Sequence, residues 1–452
     1  MLRLERLALA LASAAGRSPD PAAPRPPART APSPASAAEV GLHLLPGFAG
    51  LRLLAAASLL ISHAYLISFD TLAADPITAL PAARHATAAF YGMALFFIAS
   101  GYWLAGFLRR ERSINRLLIR LGVCILPGFV VCVLVTALVI GPLASGLGPA
   151  AYLARGQWLS YILHSLTSLA DAPLLGVFDH PGSLATVVNG SLWPLQDGLR
   201  TLLLLLCLYL VLPSLGLLAV GFASLSLAVV LVPHHFGLDP QLVQILPYFS
   251  AGIVMQGLVS RFGLSRHLAQ ISLAALIGFA LLGHLSAAFA CFGAYLVVYA
   301  ATRPWAMPPL LQQAGNLAYG IALYCWPVQQ LLRQQLALRN PIVLLLLSTV
   351  ITAIMAWLSF HWLEQPALRL YRPLLAFSDA ITHRLLRLPR QLLLVLGLIV
   401  PWMVLIRLGP QLLRGDAAAI VLPVLALVIL ASASLGQAGA VATGPLAQPF
   451  RR

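Results

Sequence analysis

Along most of the chain, apolar residues continue for about twenty positions at a time. They are broken by short clusters of Arg, not by the regular alternation of a half-buried strand. Runs of that length predict membrane-spanning helices. Ten are expected: at about 43–68, 87–108 and 116–141, two within 192–232, one at 242–259, two within 268–301, then 312–332 and 341–363. Two more runs, near 391–407 and 418–435, predict extra spans. The expected fold class is an all-α integral membrane protein with a ten-helix transmembrane core over residues 41–373. A C-terminal extension, 374–452, carries the two extra transmembrane helices. Residues 1–40 form a Pro/Ala/Arg-rich tract that cannot bury a core and reads as a disordered tail. No period of 20–50 residues recurs, so a repeat architecture is not expected.

The Arg clusters give the predicted orientation. Arg109-Arg110-Glu111-Arg112-Ser113-Ile114-Asn115-Arg116 is the densest short basic loop and belongs in the cytoplasm by the positive-inside rule. Arg261, Arg266, Arg303, Arg369 and Arg372 then also fall inside, as do Arg384, Arg387, Arg390 and the terminal Arg451-Arg452. The N-terminus is cytoplasmic in this topology. Met1–Gly16 faintly resembles a signal peptide, but its apolar core is short and crowded by Arg3, Glu5 and Arg6. The longest loop, 142–190, is external and carries Trp158, Asp171, Asp179 and His180, while Pro233-His234-His235 opens another outer loop. Loops this long are usually functional.

Composition sharpens the picture. Only 9% of residues are charged and 60% are hydrophobic, with a mean hydropathy of +0.89, which excludes a soluble protein of this length. The net charge of +15 comes from loop clusters and not from a stripe, so no nucleic-acid partner is expected. All 28 basic residues are Arg, which excludes a Walker-type phosphate loop and a lysine Schiff base. Cys124, Cys132, Cys207, Cys291 and Cys325 lie in apolar runs without CxxC spacing and read as buried fillers, so neither a disulfide framework nor a metal site is expected.

Few polar residues stand at membrane depth, and these are the candidates. In a helix, Arg52 and His63 are eleven residues apart, about 1100° of turn and about 16 Å of rise, so both share one face. Two ionisable groups on one stripe suggest a polar path through the bilayer. The alternative is an Arg that snorkels and a His bonded to a neighbouring helix. Arg116 and Arg120, four apart, share a face and suit phosphates, or simply anchor the span inside. Ser100-Gly101 follows Phe96-Phe97 in mid-span, where small residues allow close helix packing; no GxSxG elbow makes Ser100 a nucleophile. In Asn189-Gly190-Ser191-Leu192-Trp193-Pro194-Leu195-Gln196-Asp197, Ser191 suits a helix cap, Pro194 a first turn and Trp193 the interface. Asp197 and Glu364 are the acidic residues at or near membrane depth, each either a partner for an Arg or a catalytic group. Tyr319, Tyr324, Pro327, Gln329 and Gln330 give the ninth run the character of a kinked cavity wall.

Taken in order, these segments resemble the acyltransferase-3 family of integral membrane O-acyltransferases. Arg52 and His63 match the family's Arg-x10-His pair, and Phe96-Phe97-Ile98-Ala99-Ser100-Gly101 its FF-x-x-SG segment. Arg116 to Pro127 looks like the basic opening of its third helix, which Gly141-Pro142 closes. Val188-Asn189-Gly190-Ser191-Leu192-Trp193 is similar to its NGSLW segment, Ala318-Tyr319-Gly320-Ile321 to SYGI, Pro327-Val328-Gln329-Gln330 to PVQQ and Glu364-Gln365-Pro366-Ala367 to E-x-P-A. The resemblance covers about residues 43–372. The chain departs from it at Gly198, where the family usually has Glu, with Asp197 beside it, and at Ala318, where Ser is common.

The resemblance implies transfer of an acyl group, usually acetyl, from cytoplasmic acyl-CoA to a hydroxyl of an extracytoplasmic glycan or glycolipid, in a bacterial inner membrane. On that reading, geometry and depth assign His63 as general base with Arg52 and Asp197 in the catalytic set, and Arg116, Arg120 and Arg52 to acetyl-CoA. Trp193, Ser191 and Tyr319 would meet the acceptor, Ser100 and Gly101 would serve packing, and no metal is needed. A homo-oligomer is compatible with it. Two other classes remain open: a glycolipid or small-solute transporter, and a non-catalytic membrane scaffold.

Overall fold

A computed structural model describes residues 47–83, 86–111, 113–168, 171–174, 176–178, 187–212, 214–232, 239–303 and 309–385. The expected tail, the two C-terminal spans, Asp179, His180 and Pro233-His234-His235 lie outside the described residues.

The described residues form helices and no strand; an isolated bridge joins Ser145 to Val177. In chain order the helices are α1 (Phe48–Phe69), α2 (Ala88–Glu111) and α3 (Ile114–Val135). α3 runs on through a π-helical turn, Thr136–Ile140, into Gly141–Ala144. Two shorter helices, α4 (Pro149–Arg155) and α5 (Gln157–Ser168), occupy the long loop. Then come α6 (Trp193–Val211), α7 (Leu215–Leu231), α8 (Pro240–Phe262) and α9 (Arg266–Leu281). α10 spans Leu285–Thr302 around a π-turn, and α11 covers Pro309–Leu336. α12 (Pro341–Ser359) continues through the π-turn Phe360–Glu364, and α13 (Tyr371–Leu385) follows.

Six helical segments among the described residues are long and apolar enough to cross a membrane: Phe48–Phe69, Ala88–Glu111, Ile114–Ala144, Pro240–Phe262, Leu285–Thr302 and Pro341–Ile381. The chain is a multi-pass membrane protein, helical through its described residues. α7 and α9 are apolar but shorter. α11 has the length but is diluted by six Gln, Asn316 and Arg333. α11, which carries Asn316, Tyr319 and Cys325, is thus a long helix whose polar residues weaken its apolar signal.

Close approach between backbones organises the bundle. Gly101 and Gly252 stand where α2 crosses α8; a Cβ on Gly101 would fall on the Phe249 carbonyl and one on Gly252 on the Ile98 carbonyl. At Gly315, α11 meets the Ala49 backbone of α1, and at Gly320 it meets Ala356 of α12. Small residues at such crossings let dispersion and weak polar contacts act where lipid supplies no hydrophobic drive. One buried cluster joins α1, α2, α6, α7, α8 and α10 through residues such as Phe97, Phe222, Phe249 and Val298. A second joins α3, the 145–192 segment and α11 through Phe129, Tyr161, Leu192 and Tyr324. Large apolar side chains left exposed, such as Val350, Ile354 and Trp357 on α12, are in character with a lipid-facing surface.

Candidate functional site

A cavity of about 200 Å³ opens where α1, α2, α3, α6, α11 and the end of α12 meet. Its wall is mostly apolar, with Ala55, Ala56 and Leu59 along α1. Polar groups reach it at few points: Arg52, Cys124, Ser191, Asn316, Tyr319 and Glu364.

Arg52 sits one turn into α1. Its Nη2 donates to Asn316 Oδ1 at 3.4 Å, and its Cζ lies 5.4 Å from the Phe48 ring centroid. The Nε–H is buried with no acceptor among the described residues, a donor left over for a ligand. Glu364 is placed by local backbone irregularity. The π-turn brings Phe360 and Glu364 onto the same wall, a frequent use of such turns at functional sites. Ser359 Oγ donates to Glu364 Oε1 at 2.8 Å, and Gly128 of α3 leaves room for that carboxyl and for the Tyr319 ring. Tyr319 donates its hydroxyl to the Ile125 carbonyl at 2.8 Å. Arg52 and Glu364 face the same space without an ion pair between them among the described residues.

His63, about three turns beyond Arg52 on α1, is buried. Its Nδ1 lies 3.4 Å from Cys325 Sγ, and Trp326 meets the ring edge-to-face at a centroid distance of 4.8 Å. Cys325 Sγ in turn lies 3.3 Å from Ser191 Oγ, and Ser191 lines the cavity. The structure therefore brings Arg52, Ser191 and Tyr319 to one cavity, and reaches His63 through Cys325.

The 187–192 segment is tied to α11 because Pro327 breaks that helix's ladder. Pro327 has no N–H, so the Leu323 carbonyl loses its helical donor. Asn189 Nδ2 takes that place at 3.1 Å, and Cys132 Sγ approaches the same oxygen at 3.4 Å. Asn189 Oδ1 accepts from the Ser191 N–H at 3.1 Å, and Trp326 Nε1 donates to the Val187 carbonyl at 2.8 Å. Ser191 is not the cap expected of it: α6 begins after Leu192 with no side-chain cap, and the hydroxyl turns to Cys325. Pro194 does occupy the first turn.

The other predicted residues stand apart from the cavity wall. Asp197 is buried and accepts from Arg200 Nη1 at 2.8 Å; the same guanidinium nitrogen lies 3.5 Å from Asp239, at the start of α8. Trp193 is partly buried and packs against the first cluster. Arg116 and Arg120, one face by spacing, differ in surroundings. Arg116 is half exposed and pairs with Glu111 at 3.0 Å, whereas Arg120 is buried with its Cζ 5.2 Å from the Trp103 ring and 5.6 Å from Phe107. Ser100 is half buried beside Gly101. Among the cysteines, Cys132 and Cys325 are buried, but Cys207 and Cys291 are exposed on their helices, which corrects the reading of all five as buried fillers. A thiol in a lipid-facing run has the apolar neighbours of a core residue in sequence, so the pattern does not separate them.

No protein-family model, curated protein or solved structure matches the chain. What the site can do must come from its own chemistry. It offers a guanidinium with a free donor, a carboxyl, and an imidazole linked to the wall by a thiol and a hydroxyl.

Proposed function

We propose that this chain is a ten-span membrane O-acyltransferase. It would move an acyl group, acetyl in the first instance, from cytoplasmic acyl-CoA to a hydroxyl of an extracytoplasmic glycan or glycolipid. The observation that carries the reading is the placement of Arg52 and His63. Both lie on the side of α1 that meets α11, one on the cavity wall and the other joined to it through Cys325 and Ser191. The motif order described above supports the same reading.

In this reaction the acceptor oxygen attacks the thioester carbonyl, the C–S bond breaks, and the thiol of CoA leaves with a proton. His63 takes the proton from the acceptor hydroxyl, a task suited to an imidazole. Arg52, with its free Nε–H, stabilises negative charge on the donor. Arg116 at the exposed start of α3 is available to the donor's phosphates. The N-terminus is then cytoplasmic and the membrane a bacterial inner membrane.

The test compares base-labile acetate on surface glycans in wild-type cells, in a deletion strain, and in the deletion carrying His63→Ala at matched membrane levels. Acetate should fall in the deletion and stay low with His63→Ala. Full restoration by His63→Ala would remove His63 as the base. No change of any ester in the deletion would overturn acyl transfer and leave transport as the reading to examine.

A further inference from the structure

Cys325 is the least expected member of the site, and it joins His63 to Ser191. Its Sγ lies 3.4 Å from His63 Nδ1, 3.3 Å from Ser191 Oγ and 3.5 Å from the Ala322 carbonyl oxygen. A thiol has one proton, and a carbonyl can only accept. With the S–H directed to Ala322, the sulfur lone pairs face the other two neighbours as acceptors. Ser191 then donates its hydroxyl to sulfur, and His63 donates from Nδ1. That leaves the lone pair of the imidazole on Nε2. The edge-on Trp326 ring, at an interplanar angle of 83°, fixes the imidazole plane in the same pocket.

We propose that Cys325 is a positioning residue that holds His63 as the Nδ1–H tautomer, with Nε2 as the base nitrogen, and that Ser191 orients the thiol from the cavity wall. This rests on the acyl-transfer reading. The physical role is that of an orienting partner behind a catalytic imidazole. An acceptor at Nδ1–H sets which nitrogen carries the lone pair, and it stabilises the imidazolium formed when Nε2 takes a proton. Sulfur is a weak acceptor, so the support is moderate and replaceable by oxygen.

The test uses inverted membrane vesicles, radiolabelled acetyl-CoA and the endogenous glycan acceptor, with wild type, Cys325→Ala and Cys325→Ser at matched protein levels and across pH. Cys325→Ala should lower kcat about 10–100-fold, less than the roughly 10⁴-fold lost when a carboxylate behind a catalytic imidazole is neutralised, because sulfur is the weaker acceptor, with donor KM little changed. Its acid limb should move to lower pH, because the imidazolium has lost its acceptor. Cys325→Ser keeps an acceptor at the same place and should recover most of the rate and the wild-type limb. A wild-type rate in Cys325→Ala overturns the proposal. So does a loss of rate with an unmoved acid limb, which would mark packing alone. Cys325→Ser as inactive as Cys325→Ala, with a hydroxylamine-labile acyl label on wild-type Cys325, would make the thiol a nucleophile instead. If wild-type vesicles transfer no label, the acyl-transfer reading falls and takes this proposal with it.

Discussion

Asn189 donates its side-chain amide to the Leu323 carbonyl at 3.1 Å, filling the gap that Pro327 opens in α11. The two residues are 134 positions apart. Through this bond the break in one helix's hydrogen-bond ladder fixes the chain that carries Ser191 to the cavity. Neither half is stable alone: a buried carbonyl without a donor is costly, and a Gly-containing loop without an anchor is mobile.

Asn189→Ala should therefore destabilise the protein by about 1–3 kcal/mol, the cost of leaving a buried acceptor unsatisfied. The Cys132 thiol that remains is a weak donor. Thermal unfolding in detergent gives the measurement. Asn189→Asp should fare no better, because it sets a carboxylate oxygen against the carbonyl. An unchanged midpoint in both variants would mean that the segment is held by other bonds.

The crossing of α2 and α8 gives a second expectation. Gly101→Val places branched carbons on the Phe249 carbonyl, so the two helices must separate. Overpacking of this kind costs about 1–3 kcal/mol or more. Gly198→Ala is the comparison, since nothing lies within 4 Å of its added Cβ. In a helix interior that change should be neutral or stabilising by up to about 1 kcal/mol. Folded protein recovered from membranes should thus fall for Gly101→Val and hold for Gly198→Ala.

Arg116 and Arg120 should separate cleanly. The exposed Arg116–Glu111 pair contributes at most about 1 kcal/mol, so Arg116→Ala should leave thermal stability nearly unchanged. If Arg116 meets the donor phosphates, the same variant raises the KM for acyl-CoA. Arg120→Ala removes a guanidinium packed on two aromatic rings and should lower stability by about 1–2 kcal/mol. Arg120→Lys should recover only part of that, because an ammonium does not stack as a planar guanidinium does. Equal stabilities for the two Ala variants would contradict the packing described for Arg120.

Much of the fold is legible in the sequence because membrane helices announce themselves by continuous apolar runs. The first run, foreseen at about 43–68, is the helix Phe48–Phe69, and Pro341–Ser359 begins at the residue foreseen. The site is legible only in part. Arg52, Ser191 and Tyr319 were accessible because polar residues in apolar runs are conspicuous. Cys325 was not, because a small apolar-looking residue in a helix carries no mark of a histidine on another helix 262 positions earlier. Glu364 was visible as an acid near membrane depth. The π-turn that turns it into the cavity has no sequence period to reveal it. Spacing put Arg116 and Arg120 on one face, but how far each is buried depends on what α2 presents, which spacing does not encode.

The pH dependence of the long loop offers a test outside the membrane spans. Asp171 accepts from the Tyr161 hydroxyl at 3.3 Å and from the backbone N–H groups of Ala172, Val188 and Asn189. Burial outweighs these bonds and pushes its carboxyl from the usual 3.8 up to about 6. A folded-state value above the unfolded one means that the native protein binds more protons between those two limits. Stability is then greatest below about pH 4 as far as this group is concerned, and is lost as pH rises through about 6. Asp171→Asn keeps a neutral acceptor at this position and should abolish that slope. The difference in unfolding midpoint between wild type and variant should therefore grow in the variant's favour from about pH 4 to about pH 6 and stay level above it. A difference that is constant across this window would mean that Asp171 ionises as freely in the folded protein as in the unfolded chain. In that case the hydrogen bonds from Tyr161 and the backbone N–H groups offset the burial of the carboxylate in full.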